Sequence, residues 1–265
     1  KLDEVLDGGL YEGLYTVGAI SSLGKTTLIT QIADNIAQSG NDVLIFSLEM
    51  ARAELMAKSI SRHTLEIVLE SGGSVRDAKT TRGITTGIRY AQYSPTEREL
   101  IKAAIKAYGE YAEHIFISEG IGDIGVAQVL EAVQKHISFT GRTPTIIIDY
   151  LQILAPHSER MTDKQNTDKA VLELKRISRD YKTPIIAISS FNRNNYQKEV
   201  TMEAFKESGA IEYSSDVLIG LQLKSENEES TDREVELVIL KNRNGKRGSK
   251  LTYTYSPRFN YFKES

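Results

Sequence analysis

The fold can be predicted outward from one segment, Ala19-Ile20-Ser21-Ser22-Leu23-Gly24-Lys25-Thr26. An apolar run precedes it, and a pattern with helical spacing follows it as far as Gly40, which predicts a strand, a loop and a helix. This context fits the phosphate-binding loop G-x-x-x-x-G-K-[ST], with Ala19 at its first position. Lys25 can then reach terminal phosphates, and the Thr26 hydroxyl can bind magnesium. The expected nucleotide-binding residues in and after this loop are Ala19, Ser21, Ser22, Leu23, Gly24, Lys25, Thr26 and Thr27.

A Gly-Lys-Thr tripeptide also occurs by chance, so the strands that end in carboxylates carry part of the argument. Ile146-Ile147-Ile148 runs into Asp149, and Val43 to Ser47 runs into Leu48 and Glu49. Because ligands of open parallel sheets bind at the carboxyl ends of the strands, both acids can face the lysine loop. Asp149 could hold magnesium and Glu49 could activate a water. Taken singly, Asp149 could only turn the chain and Glu49 could be a solvated charge.

The rest of the chain predicts one α/β domain over residues 1–265. Apolar runs alternate with stretches of helical periodicity, which is typical of a mostly parallel sheet flanked by helices. These runs are continuous, as in strands that are buried on both faces. The predicted strands are Leu14 to Val17, Val43 to Phe46, Ile115 to Ile117, Thr145 to Ile148, Ile185 to Ile188 and Val217 to Leu221.

Local signals refine this outline. Ser94-Pro95 with Glu97 predicts a capping box that opens a helix, and a second helix is expected from about Gln165 to Tyr181. Ser71 to Tyr93 shows no period and is interpreted as a long surface connection. From Glu234 to Tyr255, two alternating stretches around Asn244-Gly245 predict an antiparallel hairpin appended to the sheet.

Composition excludes several classes of protein. Hydrophobic residues make up 40% of the 265 and charged residues 26%, which is ordinary globular usage. The absence of cysteine excludes disulfides and thiolate chemistry, and no apolar run approaches the ~20 residues of a membrane span. A net charge of −3 gives no general attraction to a polyanion, so a nucleic-acid surface would have to be local.

Five segments resemble motifs of the DnaB family of replicative DNA helicases, in the family's order and across nearly the whole chain. RecA recombinases and KaiC-like ATPases share the loop and the aspartate strand but not this set of motifs. The segments are Val43 to Met50, Ile148 to Gln152, Asn192-Arg193, Glu207 to Glu212 and Lys241 to Gly245.

The resemblance implies a RecA-like P-loop NTPase that binds ATP and Mg²⁺ at subunit boundaries of a homo-oligomer, usually a hexameric ring. By position, Lys25 and Thr26 would bind phosphate and magnesium, Asp149 would serve the metal and Glu49 would be the catalytic base. Lys241 and Arg243 would reach the neighbouring subunit's site as a basic finger, although without the resemblance this region reads as a solvated hairpin tip. The residues expected to contact single-stranded DNA are Arg193, Lys206, Glu207 and Gly209.

The same resemblance implies ATP-driven movement along one strand from the five-prime toward the three-prime end, with unwinding of duplex DNA. It also implies a cytoplasmic setting in bacterial, phage or plasmid replication, with primase or a helicase loader as possible partners and no membrane. Ser190 stands where the family commonly has a phosphate-sensing glutamine, which weakens the expected link between hydrolysis and DNA movement. The family's N-terminal domain and linker helix are absent from the sequence, so we expect an excised C-terminal domain or a relative that lacks them.

Two other functions stay open at this point. One is a RecA-fold ATPase of another kind, such as a recombination mediator or a KaiC-like regulatory ATPase, that does not unwind DNA. The other is a nucleotide-binding loader or accessory module that has lost productive hydrolysis, an idea that Ser190 supports and that Glu49 and Arg243 oppose.

Overall fold

The computed structural model describes residues 1–20, 22–120, 123–191, 199–205, 209–226 and 231–265. Within these ranges nine strands form one sheet. They are β1 (Gly13–Ala19), β2 (Val43–Ser47), β3 (Ile115–Glu119), β4 (Thr145–Asp149), β5 (Pro184–Ser190), β6 (Val217–Glu226), β7 (Arg233–Asn242), β8 (Lys250–Ser256) and β9 (Tyr261–Glu264).

Helices cover both faces of this sheet. They are α1 (Leu2–Val5), α2 (Lys25–Gln38), α3 (Arg52–Glu70), α4 (Thr81–Thr85), α5 (Gly87–Gln92), α6 (Pro95–Gly109), α7 (Val126–Thr140), α8 (Asp163–Tyr181) and α9 (Gly209–Ser214). Short 3-10 turns occur at Val75–Asp77, Ala112–His114, Leu151–Ile153, Met202–Phe205 and Pro257–Phe259.

The strand order is β3-β2-β4-β5-β1-β6-β7-β8-β9, with parallel pairing from β3 to β6 and antiparallel pairing from β6 to β9. The parallel strands therefore all end at one edge of the sheet. We call this the carboxyl edge, marked by Ala19, Ser47, Asp149 and Ser190. The amino edge, where the same strands begin, is marked by Gly13, Val43, Thr145, Pro184 and Val217.

Two apolar layers enclose the sheet, and β4 shows why its sequence is a continuous apolar run. Ile147 packs into the layer that contains Leu28 and Ile29 of α2. Its neighbours Ile146 and Ile148 pack into the opposite layer, with the apolar faces of α7 and α8. Because successive side chains of a strand point to opposite faces, a strand that is covered on both sides must be apolar at every position.

The structure confirms all six predicted strands and the helices that follow Lys25 and Ser94. Ser94 accepts from the backbone of Glu97 at 3.2 Å, and the Glu97 carboxylate accepts from the backbone of Ser94 at 2.8 Å, as the capping box requires. The predicted hairpin is the β7–β8 pair. The sequence reading did not identify helix α3 or strand β9.

The interpretation of Ser71 to Tyr93 as a long surface connection was right about its exposure, since nearly all of its residues are exposed or half-buried, but it missed the helices within the segment. This segment contains α4 and α5, and Lys79 within it is only 7% exposed. The Lys79 ammonium bonds Glu97 at 2.7 Å, and the Lys79 carbonyl accepts from Ser61 of α3 at 2.8 Å. Thr80 looks like a loop residue because it caps α4, with its side chain accepting from the amide of Gly83. Across the described ranges, no helix is long and apolar enough to cross a membrane.

Candidate functional site at the carboxyl edge

Three strands bring their terminal side chains together at the carboxyl edge. The Thr26 hydroxyl at the start of α2 donates to Asp149 Oδ2, at the end of β4, at 2.7 Å. The amide of Leu48, just past β2, donates to the Asp149 carbonyl at 2.9 Å, so the segment that carries Glu49 is tied to the end of β4. Glu49 is exposed to solvent and close enough to Asp149 to affect its charge. The predicted convergence of the lysine loop and the two acids is confirmed.

The loop between β1 and α2 is wrapped around the Lys25 side chain. The Lys25 ammonium donates to the carbonyls of Ala19 at 2.9 Å and Ile20 at 3.3 Å. Ser22 and Gly24 both adopt the left-handed conformation, with φ of +68° and +85°. Helix α2 begins at Lys25, and the first amides of a helix have no partner inside it, so they can bind an anion.

The other predicted nucleotide-binding residues fall into two groups. Ser22 is exposed, and Ser190 pairs in register with Ala19, directly beside the start of the loop. Ala19, Leu23 and Thr27 are buried, so what they could offer a phosphate is backbone rather than side chain. Ser21 lies outside the described residues.

Burial dominates the electrostatics of Asp149 and of its neighbour Lys58. It raises the pKa of Asp149, and the nearby charge of Glu49 adds to the rise, while the hydrogen bond from Thr26 and the charge of Lys25 oppose it. Lys58 of α3 adds a cation here, and its ammonium donates to Asn260 Oδ1 at 3.1 Å. Burial lowers the pKa of Lys58, against the pull of Glu54 and Asp149.

Lys241 and Arg243 lie at the opposite edge of the sheet. In the β6–β7 pairing Lys241 stands across from Leu218, and the Arg243 amide donates to the Asp216 carbonyl at 2.9 Å. The Arg243 guanidinium is 68% exposed and bonds Asp216 Oδ1 at 3.3 Å. The Lys241 ammonium instead donates to the carbonyl of Glu212 at 2.7 Å, at the C-terminal end of α9. Both cations are therefore remote from the Lys25 loop of their own chain.

The residues predicted to contact DNA can be followed only in part. Arg193, Lys206 and Glu207 lie outside the described residues. Gly209 begins α9, and the next amide, that of Ala210, donates to Asp168 Oδ1 of α8 at 3.2 Å.

Sequence reasoning missed several residues around the loop. Tyr255 of β8 lies against Gly24, Arg233 of β7 donates to the Ser22 carbonyl at 3.1 Å, and Gln152 donates to Ser189 Oγ at 2.9 Å. The alternation of Leu251, Tyr253 and Tyr255 revealed a strand. No pattern within β8 could indicate that it would pack beside a loop more than 200 residues earlier.

The comparison with protein families gives one match that spans the chain. Residues 1–264 match the family model described as the DnaB-like helicase C-terminal domain. The replicative DNA helicase DnaC of Bacillus subtilis is 27% identical over 256 residues, covering 94% of this chain and 52% of that protein. The replicative DNA helicase DnaB of Geobacillus stearothermophilus is 27% identical over 259 residues, with the same two shares. The chain thus spans about half the length of these curated relatives.

Solved structures share the fold. One is described as the ATPase domain of G40P; it superposes with a TM-score of 0.85 at 21% identity, covering all of this chain and 88% of that one. Another, a DnaB-like replicative helicase studied for its interactions with primase, has a TM-score of 0.84 at 21% identity and covers 99% of this chain and 59% of that one. At this identity the likeness concerns the fold alone.

Proposed function

This chain belongs to the family of DnaB-like helicase C-terminal domains, and from that premise we propose that it is an ATP-dependent DNA helicase motor. It hydrolyses ATP, moves along single-stranded DNA and unwinds duplex, and residues 1–265 act as one RecA-like domain. The observation that carries the proposal is the 2.7 Å contact between Thr26 and Asp149 beside the Lys25 loop. It joins a phosphate-binding element to a carboxylate at the edge of a parallel sheet, where nucleotides bind in such folds.

Lys25 and the loop amides would hold the phosphates. The Lys25 ammonium lies over the loop, where it can neutralise charge on terminal phosphate oxygens. Exposed Ser22 and the amides from Gly24 to Thr27 would surround them, with the positive end of the α2 dipole behind. Ser190, next to Ala19 in the sheet, would lie near the same group.

The donor set at the carboxyl edge fits magnesium. Thr26 and Asp149 present a hydroxyl and a carboxylate oxygen 2.7 Å apart, and Mg²⁺ prefers one or two such protein oxygens together with phosphate oxygens and water. In the described ranges no group of three or more His, Cys, Asp or Glu side chains could hold a metal, which suits a cation that relies on its nucleotide. Bound there, Mg²⁺ would neutralise charge that develops on the phosphates.

Glu49 would be the general base. It follows β2 in the segment tied to Asp149, and it is exposed, so a water molecule can reach it. A carboxylate in that position can accept a proton from water as the water attacks the terminal phosphorus in line.

Arg243 would complete the site of a second copy of the chain. Strand β7 starts at Arg233, which contacts the loop, and ends at Asn242, so Arg243 lies roughly 30 Å away at ~3.3 Å per residue. It cannot reach the Lys25 loop of its own chain, but its exposed guanidinium is available to a neighbour. Lys241 would also reach the site of the second copy, after its ammonium leaves the carbonyls at the end of α9. We therefore infer a homo-oligomer, which in this family would be a hexameric ring.

The DNA-contacting residues would be Arg193, Lys206, Glu207 and Gly209, which bind backbone phosphates with little sequence preference. We infer movement from the five-prime toward the three-prime end and a cytoplasmic role in bacterial, phage or plasmid replication. Primase or a helicase loader would be a partner, and the primase interactions of one structural neighbour support the former.

The test is ATP turnover measured with and without single-stranded DNA across a range of protein concentration, together with strand displacement on a forked duplex. Because the site needs a second copy, turnover per chain should rise with protein concentration and rise again when DNA is added. Turnover that depends on neither, with no strand displacement, would contradict the helicase proposal and favour a RecA-fold ATPase of another kind.

A further inference from the structure

A single tyrosine of the C-terminal strands lies against the phosphate loop. If Gly24 carried a Cβ atom, that atom would come within 2.6 Å of Tyr255 Cζ and 2.8 Å of its hydroxyl oxygen. Burial raises the pKa of the Tyr255 phenol, and the side chain of Thr27 lies close enough to its hydroxyl to oppose that rise. The phenol group of Tyr255 therefore contacts both Gly24, one of the two left-handed residues of the loop, and the first turn of α2.

Tyr255 is itself held on two sides. It is 6% exposed, and its ring stacks on Phe262 of β9 with centroids 4.3 Å apart and planes 13° apart. Phe262 is fixed in turn by Gln31 of α2, which donates to the Phe262 carbonyl at 2.8 Å and accepts from its amide at 2.9 Å. The loop therefore contacts β8, β8 contacts β9, and β9 is hydrogen-bonded to α2, the helix that follows the loop.

The neighbouring strand makes a second contact with the loop. Arg233 of β7, in register with Tyr255, donates to the carbonyl of left-handed Ser22 at 3.1 Å. Both left-handed residues of the loop are thus contacted from the antiparallel part of the sheet. These strands lie beside the loop, yet neither Tyr255 nor Arg233 was among the expected nucleotide-binding residues.

We propose that Tyr255, supported by Phe262 and Gln31, is a positioning residue that keeps the phosphate loop in its nucleotide-binding conformation. The inference rests on the proposed function and adds a determinant of nucleotide affinity. A loop whose amides already point toward the anion loses less conformational freedom when the anion binds. Nucleotide affinity should therefore depend on a hydroxyl that acts only through Gly24 and Thr27.

The experiment compares Tyr255→Phe with Tyr253→Phe. Tyr253 is the matched control because it lies two residues away on the same face of β8, is equally buried at 6%, and bonds Glu264 Oε1 at 3.3 Å instead of the loop. Each chain is titrated with a fluorescent ADP analogue, its thermal midpoint is measured, and the KM and kcat for ATP are determined. Tyr255→Leu, which also removes the ring, extends the series.

Tyr255→Phe, which removes the hydroxyl that lies against Gly24 and Thr27, should weaken ADP-analogue binding by about 3- to 10-fold, an effect of the size of one lost polar contact. Tyr255→Leu should weaken it further, and Tyr253→Phe should change it by less than about 2-fold at a similar loss of thermal stability. The KM should rise while kcat stays nearly constant, because the loop binds substrate and transition state alike. Equal affinities for the two Phe variants, or an affinity that follows thermal stability alone, would overturn the proposal. Failure of the parent chain to bind the analogue would instead count against the proposed function.

Discussion

The carboxyl and amino edges of the sheet carry different kinds of charged group. At the carboxyl edge, Thr26 bonds Asp149 beside the Lys25 loop, and Glu49 in the adjoining segment is exposed to solvent. At the amino edge, the charged groups are paired with each other. Asp42 contacts two histidines, while Arg243 rests on Asp216 with its guanidinium open to solvent.

One chain therefore holds the two halves of the proposed reaction at opposite edges of its own sheet. Phosphate binding and water activation would belong to the carboxyl edge, and neutralisation of transition-state charge to Arg243. Strand β7 connects them, with Arg233 at the loop and Arg243 just beyond its other end. A second copy would then be a chemical requirement, because the length of β7 separates Arg243 from the Lys25 loop of its own chain.

The largest expected effect comes from removing the cation of the carboxyl edge. Lys25→Ala takes away the ammonium that lies over the loop and should reduce ATP hydrolysis by roughly 10³-fold or more, beyond the typical loss of one preorganised donor. Steady-state phosphate release measures this, with circular dichroism to verify folding. Undiminished turnover in the variant would refute the site.

A comparable but distinct loss is expected at the other edge. Arg243→Ala should lower kcat by about 10³-fold, the lower bound for an arginine that stabilises phosphoryl-transfer charge. Because Arg243 is remote from its own loop, nucleotide affinity of the dilute chain should be unchanged. Arg247→Ala is the control, since it removes an exposed arginine of the same hairpin and should have little effect. Equal rates of ATP hydrolysis for the two variants would show that Arg243 has no role in hydrolysis.

The smallest effect concerns Asp42, which we expect to contribute stability only. Its buried carboxylate bonds His114 Nδ1 at 2.7 Å and His136 Nε2 at 3.0 Å. Burial acts to raise the pKa of Asp42, but these hydrogen bonds and Arg142 together hold it below its ordinary value. Asp42→Asn should therefore cost about 1–3 kcal/mol of unfolding free energy at neutral pH, or roughly 2–6 °C in thermal midpoint, without loss of turnover.

The pH dependence of this loss has a definite sign. An aspartate whose pKa is lower in the folded than in the unfolded chain stabilises the fold at pH values above its unfolded-state pKa of about 4. This stabilisation is lost as the pH falls through the folded-state pKa. The gap between the parent chain and Asp42→Asn should thus be full at pH 6 and shrink below about pH 4. Asp180→Asn, at an exposed aspartate, is the control for the substitution itself. A gap that is constant across this range would contradict the charge-based explanation.

The sequence was sufficient to predict the parallel sheet and the residues that lie at its carboxyl edge. A strand that is buried on both faces must be apolar throughout, so β4 is visible as Ile146-Ile147-Ile148, and the residue after such a run necessarily lies at the strand's end. The common direction of the strands then implies that Lys25, Glu49 and Asp149 meet. Their catalytic roles remain predictions.

What the sequence could not predict depends on contacts between distant segments. The sequence pattern did not predict helix α3 because this helix buries polar residues and lacks a clean apolar stripe. Arg62, for example, is buried and ion-paired to Asp34 of α2. Tyr255 and Gln31 meet the loop and β9 only once the antiparallel strands have folded beside α2. The helices within Ser71 to Tyr93 were missed because the capping Thr80 and the glycines of this segment are residue types that loops also use.

The most direct test mixes two inactive chains, Lys25→Ala and Arg243→Ala. Each lacks one half of the site, but a boundary between them can join an intact Lys25 loop from one chain to an intact Arg243 from the other. Turnover of the mixture should exceed the sum of the separate chains and be greatest near equal amounts. If the mixture is no more active than that sum at any ratio, under conditions where the parent chain assembles and hydrolyses ATP, the two edges do not cooperate between copies.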